Sequence, residues 1–97
     1  MAAYVIAEVE VTDPDGYKSY LALVPPSLAP FGGRILVRGG RTVPLEGASA
    51  KRIVVIEFDS VETAERWYRS PTYAEAIPLR QGAATARLFI VEGASPP

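Results

Sequence analysis

The chain has 97 residues, 48% of them apolar types and 22% charged, a mix that fits one folded domain and is too apolar for a disordered chain. Lysine plus arginine is 10 and aspartate plus glutamate is 11, so the net charge of −1 gives no basic footprint for nucleic acid or an anionic membrane surface. Histidine, cysteine and asparagine are all absent, which excludes disulfides, thiolate chemistry, Ser-His-Asp and Cys-His arrangements, zinc fingers and haem held by histidine.

Ala3 to Val11 reads AYVIAEVEV, rich in β-branched residues, and predicts a first strand. Asp13 then suits a helix cap, Pro14 the first helical position and Asp15 the positive helix end. Tyr17, Tyr20, Leu21, Val24 and Leu28 recur at helical spacing. Pro25, Pro26 and Pro30 predict a break near Val24 and a short further turn up to Phe31, because each lacks a donor and crowds the preceding turn. Gly32-Gly33 ends that unit.

Arg34 to Arg38 is the second strand, bounded by Gly39-Gly40. Residues 41–51 hold Pro44, Gly47 and Ser49 and read as a long hairpin connection, with a strand extension at Thr42-Val43. Arg52 to Phe58, RIVVIEF, is the third strand. Asp59 and Ser60 both suit a cap, and Asp59 with Glu62 has capping-box spacing. Val61, Ala64, Trp67 and Tyr68 form the inner stripe of a second helix. Ser70-Pro71 restarts the chain as a shorter helix carrying Tyr73, Ala76 and Ile77, weakened at its end by Pro78. Thr85 to Glu92 is the fourth strand. One domain over 1–93 is expected, with a flexible tail at 94–97.

This β-α-β-β-α-β order, with right-handed crossovers, predicts an α+β fold: a ferredoxin-like sandwich of a four-stranded antiparallel sheet with helices on one face. A half-exposed sheet should alternate apolar and polar residues. These strands do not. Ile53 and Val55 oppose Val54, Ile56 and Phe58, while Phe89 and Val91 oppose Leu88 and Ile90. In the first strand, Tyr4 and Ile6 oppose Val5, Ala7 and Val9. Both faces are apolar, so the second face needs cover. Five or six such side chains, at roughly 1.5–3 kcal/mol each, supply a gross drive of about 10 kcal/mol. That offsets much of an association cost of ~4–15 kcal/mol. The expectation is a homodimer joined through the open sheet face, a dimeric α/β barrel. No apolar run approaches the ~20 residues that cross a bilayer, and the N-terminus lacks the basic start of a signal peptide. A cytoplasmic protein with no membrane and no nucleic-acid partner is expected. RNA-recognition domains share this element order, but they display aromatics amid basic residues on strands that here read otherwise.

The set Tyr4-Val5-Ile6, Asp13-Pro14-Asp15-Gly16-Tyr17 with Tyr20, Gly32-Gly33-Arg34, Arg38-Gly39-Gly40, Glu46-Gly47, Glu57-Phe58, Ala64 with Trp67-Tyr68, Ser70-Pro71-Thr72-Tyr73, Arg80 and Val91-Glu92-Gly93 resembles the domain-of-unknown-function family numbered 1330. The resemblance covers nearly the whole chain. It implies the dimeric α/β-barrel superfamily, which includes cofactor-free antibiotic-biosynthesis monooxygenases, muconolactone isomerases and haem-degrading enzymes. It also implies pockets between sheet and helices. It implies no particular reaction.

Each candidate for chemistry has a plainer reading beside it. Arg34 and Arg38 share a strand face with Leu36 by alternation and suit bidentate binding of a carboxylate or phosphate. They equally suit ion pairs with Glu8, Glu10 or Glu57, or a charged strand edge. Glu57, near the end of an apolar strand, has general-base potential if partly buried, or is a carboxylate satisfied by an arginine. Tyr17, Tyr20, Trp67, Tyr68 and Tyr73 can line a pocket for a flat ligand, or form ordinary core. Ser70 reads as a cap and Arg80 as a helix-end cation. Ser70 has no base to make it a nucleophile. The reading taken forward has Glu57 and Arg80 as catalytic candidates. Tyr17, Tyr20, Arg34, Arg38, Trp67, Ser70 and Tyr73 are ligand contacts, with no cofactor and no metal. The function expected is a cofactor-independent isomerase or oxygenase acting on a small organic acid or aromatic. The alternative is a non-catalytic ligand-binding or stress-related accessory dimer.

Overall fold

The computed structural model describes residues 1–95, so the last two residues of the tail expected at 94–97 lie outside the described residues. The elements follow the order β1 (Ala3–Val11), α1 (Pro14–Leu28), β2 (Arg34–Arg38), β3 (Arg52–Phe58), α2 (Val61–Tyr68), α3 (Pro71–Ala83) and β4 (Ala84–Glu92), with a 3-10 turn at Ala29–Phe31. The four strands form one sheet in the order β2-β3-β1-β4, every neighbouring pair antiparallel. The expected ferredoxin-like α+β arrangement is the one observed.

Alternation in β1 sorts the two faces. Ala3, Val5, Ala7 and Val9 are buried under the helices. Their cross-strand partners on β3 are Phe58, Ile56, Val54 and Arg52. Tyr4, Ile6 and Glu8 point to the other face, which no element of the chain covers. There, the register aligns one wholly apolar row across all four strands: Val37, Val55, Ile6 and Phe89. Val37 is 38% exposed and Phe89 44%.

Ion pairs frame that row. Arg34 pairs with Glu57 on one side, and Arg87 with Glu8 at 3.7 Å and Lys51 with Glu10 at 3.0 Å lie on the other.

Several local expectations are corrected. The helix does not break near Val24: α1 runs unbroken through Pro25 and Pro26 to Leu28. Both prolines sit on the exposed side, where water can solvate the carbonyls their missing N–H groups leave free. Pro78, also exposed, likewise lies inside α3, which continues to Ala83. Ser60, not the Asp59–Glu62 box, caps α2: its Oγ accepts the Thr63 N–H at 3.1 Å. Asp13 occupies the cap position of α1 without a side-chain cap bond. Thr42-Val43 forms no strand, and the exposed connection between β2 and β3 has no regular structure.

The core is an aromatic cluster between helices and sheet. Trp67 packs against Phe58, with ring centroids 5.4 Å apart, and against Tyr73 at 4.1 Å. The buried indole N–H donates to Ser27 Oγ at 3.0 Å, and that hydroxyl donates to the Val24 carbonyl at 2.6 Å. Each polar atom of this chain of bonds is therefore satisfied without water. The turn into α1 is fixed to the end of α3, since the N–H groups of Thr12 and Asp13 both donate to the Ala83 carbonyl. Helix α1 accordingly packs on α3 more than on the sheet.

Candidate functional site

Because α1 leans on α3, a gap opens between α1 and the sheet. It forms a cavity of about 290 Å³. The sheet side of the cavity is built from Val5, Ala7 and Val9 of β1 with Val54 and Ile56 of β3; Tyr20, Leu21 and Val24 of α1 form the roof. Across the sheet, the row through Ala7 runs Arg38, Val54, Ala7, Leu88, and all four line the cavity.

The aromatic wall is ordered by contact. Tyr17 and Tyr20 pack with centroids 5.4 Å apart. The Tyr20 hydroxyl shares a hydrogen bond of 2.9 Å with that of Tyr73, behind the wall. Burial pushes the Tyr20 phenol far above its ordinary range, with the neighbouring Tyr73 adding to the effect. Burial raises Tyr73 as well, although the Arg80 charge nearby opposes it. Both phenols therefore remain protonated at neutral pH, one hydroxyl donating to the other.

Three guanidinium groups reach this cavity: Arg38, Arg52 and Arg80. Arg80 projects from α3 and is 6% exposed. Arg52 lies over the Tyr17 ring, 5.6 Å from its centroid, a cation–π geometry. No aspartate or glutamate lines the space.

Of the residues singled out in the sequence, the structure gathers Tyr17, Tyr20, Arg38, Trp67 and Arg80 around one cavity, with Tyr73 directly behind. It separates three others. Ser70 caps α3, its Oγ donating to the Trp67 carbonyl at 2.7 Å and accepting from Tyr73 N–H at 3.3 Å, so its hydroxyl is consumed structurally. Arg34 and Glu57 lie on the opposite face of the sheet, bonded to each other, with Arg34 Nε 3.0 Å from Glu57 Oε1. That hydrogen bond holds the Glu57 carboxyl below its ordinary range. A general base needs a raised value and a place near the ligand; Glu57 has neither with respect to this cavity.

The expected common face of Arg34, Leu36 and Arg38 is also corrected. A bulge between Ile35 and Val37 breaks the register, so that Ile35 pairs with Ile56 while Val37 pairs with Val55 and Arg38 with Val54. One extra residue inverts the alternation beyond it. Arg34 thus stays on the open face and Arg38 turns to the cavity.

Arg52 went unnoticed as a site residue. Its signal was present in the strand pattern: it shares the parity of Val54, Ile56 and Phe58, and a charged residue at an inward position is a candidate for function.

The model of the family described as "Domain of unknown function (DUF1330)" matches residues 2–94. The chain belongs to the DUF1330 family. No curated protein sequence matches the chain.

Among solved structures, it is similar to RPA0582, a protein of unknown function from Rhodopseudomonas palustris, with a TM-score of 0.77 and 22% identity over 98% of this chain and 84% of that one. A dimeric ferredoxin-like protein of unknown function from Jannaschia sp. CCS1 gives a TM-score of 0.78 and 11% identity over 96% of this chain and 100% of that one. SnoaB, a cofactor-independent oxygenase from Streptomyces nogalater, gives a TM-score of 0.67 and 14% identity over 98% and 95% of the two chains. At these identities the DUF1330 chain shares a fold with them.

Proposed function

We propose that this DUF1330 chain works as a homodimer joined through the open sheet face, and that the cavity under α1 takes up a small flat organic acid or aromatic and transforms it without a cofactor, as an isomerase or oxygenase. The observation that carries the reading is an apolar cavity of about 290 Å³ lined by Arg38, Arg52 and Arg80 and, among the described residues, by no carboxylate. Donors fixed in an apolar site stabilise negative charge as it develops on a substrate oxygen. The guanidiniums have that role, while the aromatic wall orients a ring.

Two further observations support the assembly and the class. The open face has an apolar row inside a charged frame, the anatomy of a protein interface. Relatives in fold include proteins described as dimeric and one described as a cofactor-independent oxygenase.

One observation favours a second reading, ligand binding without turnover. No side chain lining the cavity is a carboxylate, and the chain has no histidine, so the site holds no proton acceptor poised near neutral pH. A thermal-shift screen with flat phenols, enols and aromatic acids, followed by product analysis in air and under nitrogen, separates these readings. Oxygen-dependent product marks an oxygenase, and product that also forms under nitrogen marks an isomerase. Stabilisation without product selects the binding protein. Absence of any stabilising compound overturns the cavity as a ligand site.

A further inference from the structure

The charge balance around the cavity is incomplete, and the inference drawn from it rests on the ligand-site reading above. The Nε atoms of Arg80 and Arg52 are both buried and have no hydrogen-bond partner. A buried donor without a partner costs about 1–3 kcal/mol, more for a charged group. Folded proteins rarely leave one so. Three other arginines are matched, Arg34 with Glu57, Arg69 with Glu65 and Arg87 with Glu8, and the remaining Arg38, Arg41 and Arg66 are exposed to water. Arg80 and Arg52 take part in no ion pair among the described residues, and no carboxylate lines the cavity they share.

The two are held in place nonetheless. Arg80 is 6% exposed, on a helix that α1 packs against. The Arg52 guanidinium is sandwiched between the Tyr17 ring and the backbone at Gly39, where an added Cβ would fall 2.3 Å from its Nη1. Fixed guanidiniums in an otherwise apolar space are suited to a planar oxyanion bound through paired N–H groups.

We propose that Arg80 and Arg52 form a carboxylate-binding subsite, and that the ligand of this cavity is a monocarboxylate with a flat apolar body. The apolar remainder of the lining selects against a phosphate. A multiply charged, strongly hydrated anion would lose water to Val5, Val9, Val54 and Ile56 without replacement. The body lies along Tyr17, Tyr20 and Trp67, and the carboxylate supplies the counter-charge that the protein itself withholds.

The test is calorimetric titration of the full chain with 2-naphthoate, 2-naphthamide and inorganic phosphate. Acid and amide share shape and differ in charge. Naphthoate should bind about tenfold or more tighter than the amide, as expected for a charge-assisted bond. Arg52→Gln and Arg80→Gln should each erase most of that advantage while leaving amide affinity in place. Should Arg80→Gln fail to fold, as judged by its circular dichroism melt, Arg52→Gln carries the comparison.

Equal affinity for acid and amide overturns the subsite and leaves the cavity as a ligand site. Binding of neither overturns both. Phosphate binding as tightly as naphthoate overturns the carboxylate assignment, and so does an Arg52→Gln variant that keeps the full preference for the acid.

Discussion

The hydroxyl of Tyr20 and the hydroxyl of Tyr73, 53 positions apart in sequence, meet at 2.9 Å inside the core and tie α1 to α3. Burial raises both phenols above their ordinary value of 10.0. Below that value both the folded and the unfolded chain keep these protons, and the contribution is constant. Above it the unfolded chain releases them while the buried pair holds on, so stability falls as pH rises. The expected slope is about 1.4 kcal/mol per pH unit for each phenol. Tyr20→Phe should make that loss shallower above pH 10. At neutral pH it should cost about 0.5–1.5 kcal/mol for the missing bond. Urea unfolding across the alkaline range measures both.

Ser27 sits between a backbone carbonyl and the only indole of the chain. Ser27→Ala leaves the Trp67 N–H unpaired where the ring is 1% exposed. The variant should lose about 1–3 kcal/mol in chemical unfolding, with a shift in tryptophan fluorescence in the folded state.

Gly33 and Gly40 should respond oppositely to alanine. A Cβ at Gly33 would lie 2.7 Å from Leu28 Cδ2 and 2.9 Å from Phe58 Cε1, whereas one at Gly40 meets nothing within 4 Å. Overpacking should make Gly33→Ala less stable by about 1–3 kcal/mol. Gly40→Ala should be neutral or more stable by up to about 1 kcal/mol, through the unfolded chain. Thermal melts of the two variants, side by side, check the contrast.

The apolar row of Val37, Val55, Ile6 and Phe89 predicts the outcome of a single charge at its centre. With the wild type sedimenting as a dimer, Val55→Asp should sediment as a folded monomer at micromolar concentration. An unpaired charge buried in the interface is costly, whereas in an isolated subunit it faces water. A wild-type chain that is monomeric under the same conditions removes the proposed dimer.

The strands were readable because their signals are local. Runs such as AYVIAEVEV and RIVVIEF have the residue types and bounds of β1 and β3 as observed, and parity alone revealed two apolar faces. What parity could not reveal was the bulge at Leu36, since an extra residue in a short strand leaves no mark in composition. The prolines of α1 misled for a related reason. Their cost depends on which side of the helix they occupy, and Pro25 and Pro26 occupy the wet one. The site was half legible. Spacing and residue type single out Tyr17, Tyr20, Arg38, Trp67 and Arg80, which line the cavity, and also Glu57, which lies on the opposite face of the sheet. Arg52 was hidden in a strand whose other inward members, Val54, Ile56 and Phe58, suggested nothing but core.

The bulge also makes β2 a hinge point for sequence change. Were β2 to pair without the bulge while keeping all five residues, plain alternation would exchange the destinations of Val37 and Arg38. A guanidinium would then sit amid the greasy stripe, and a valine would stand at the mouth of the cleft. One slip of register in β2 would thus strike the proposed dimer face and the cavity together, on surfaces that share no side chain.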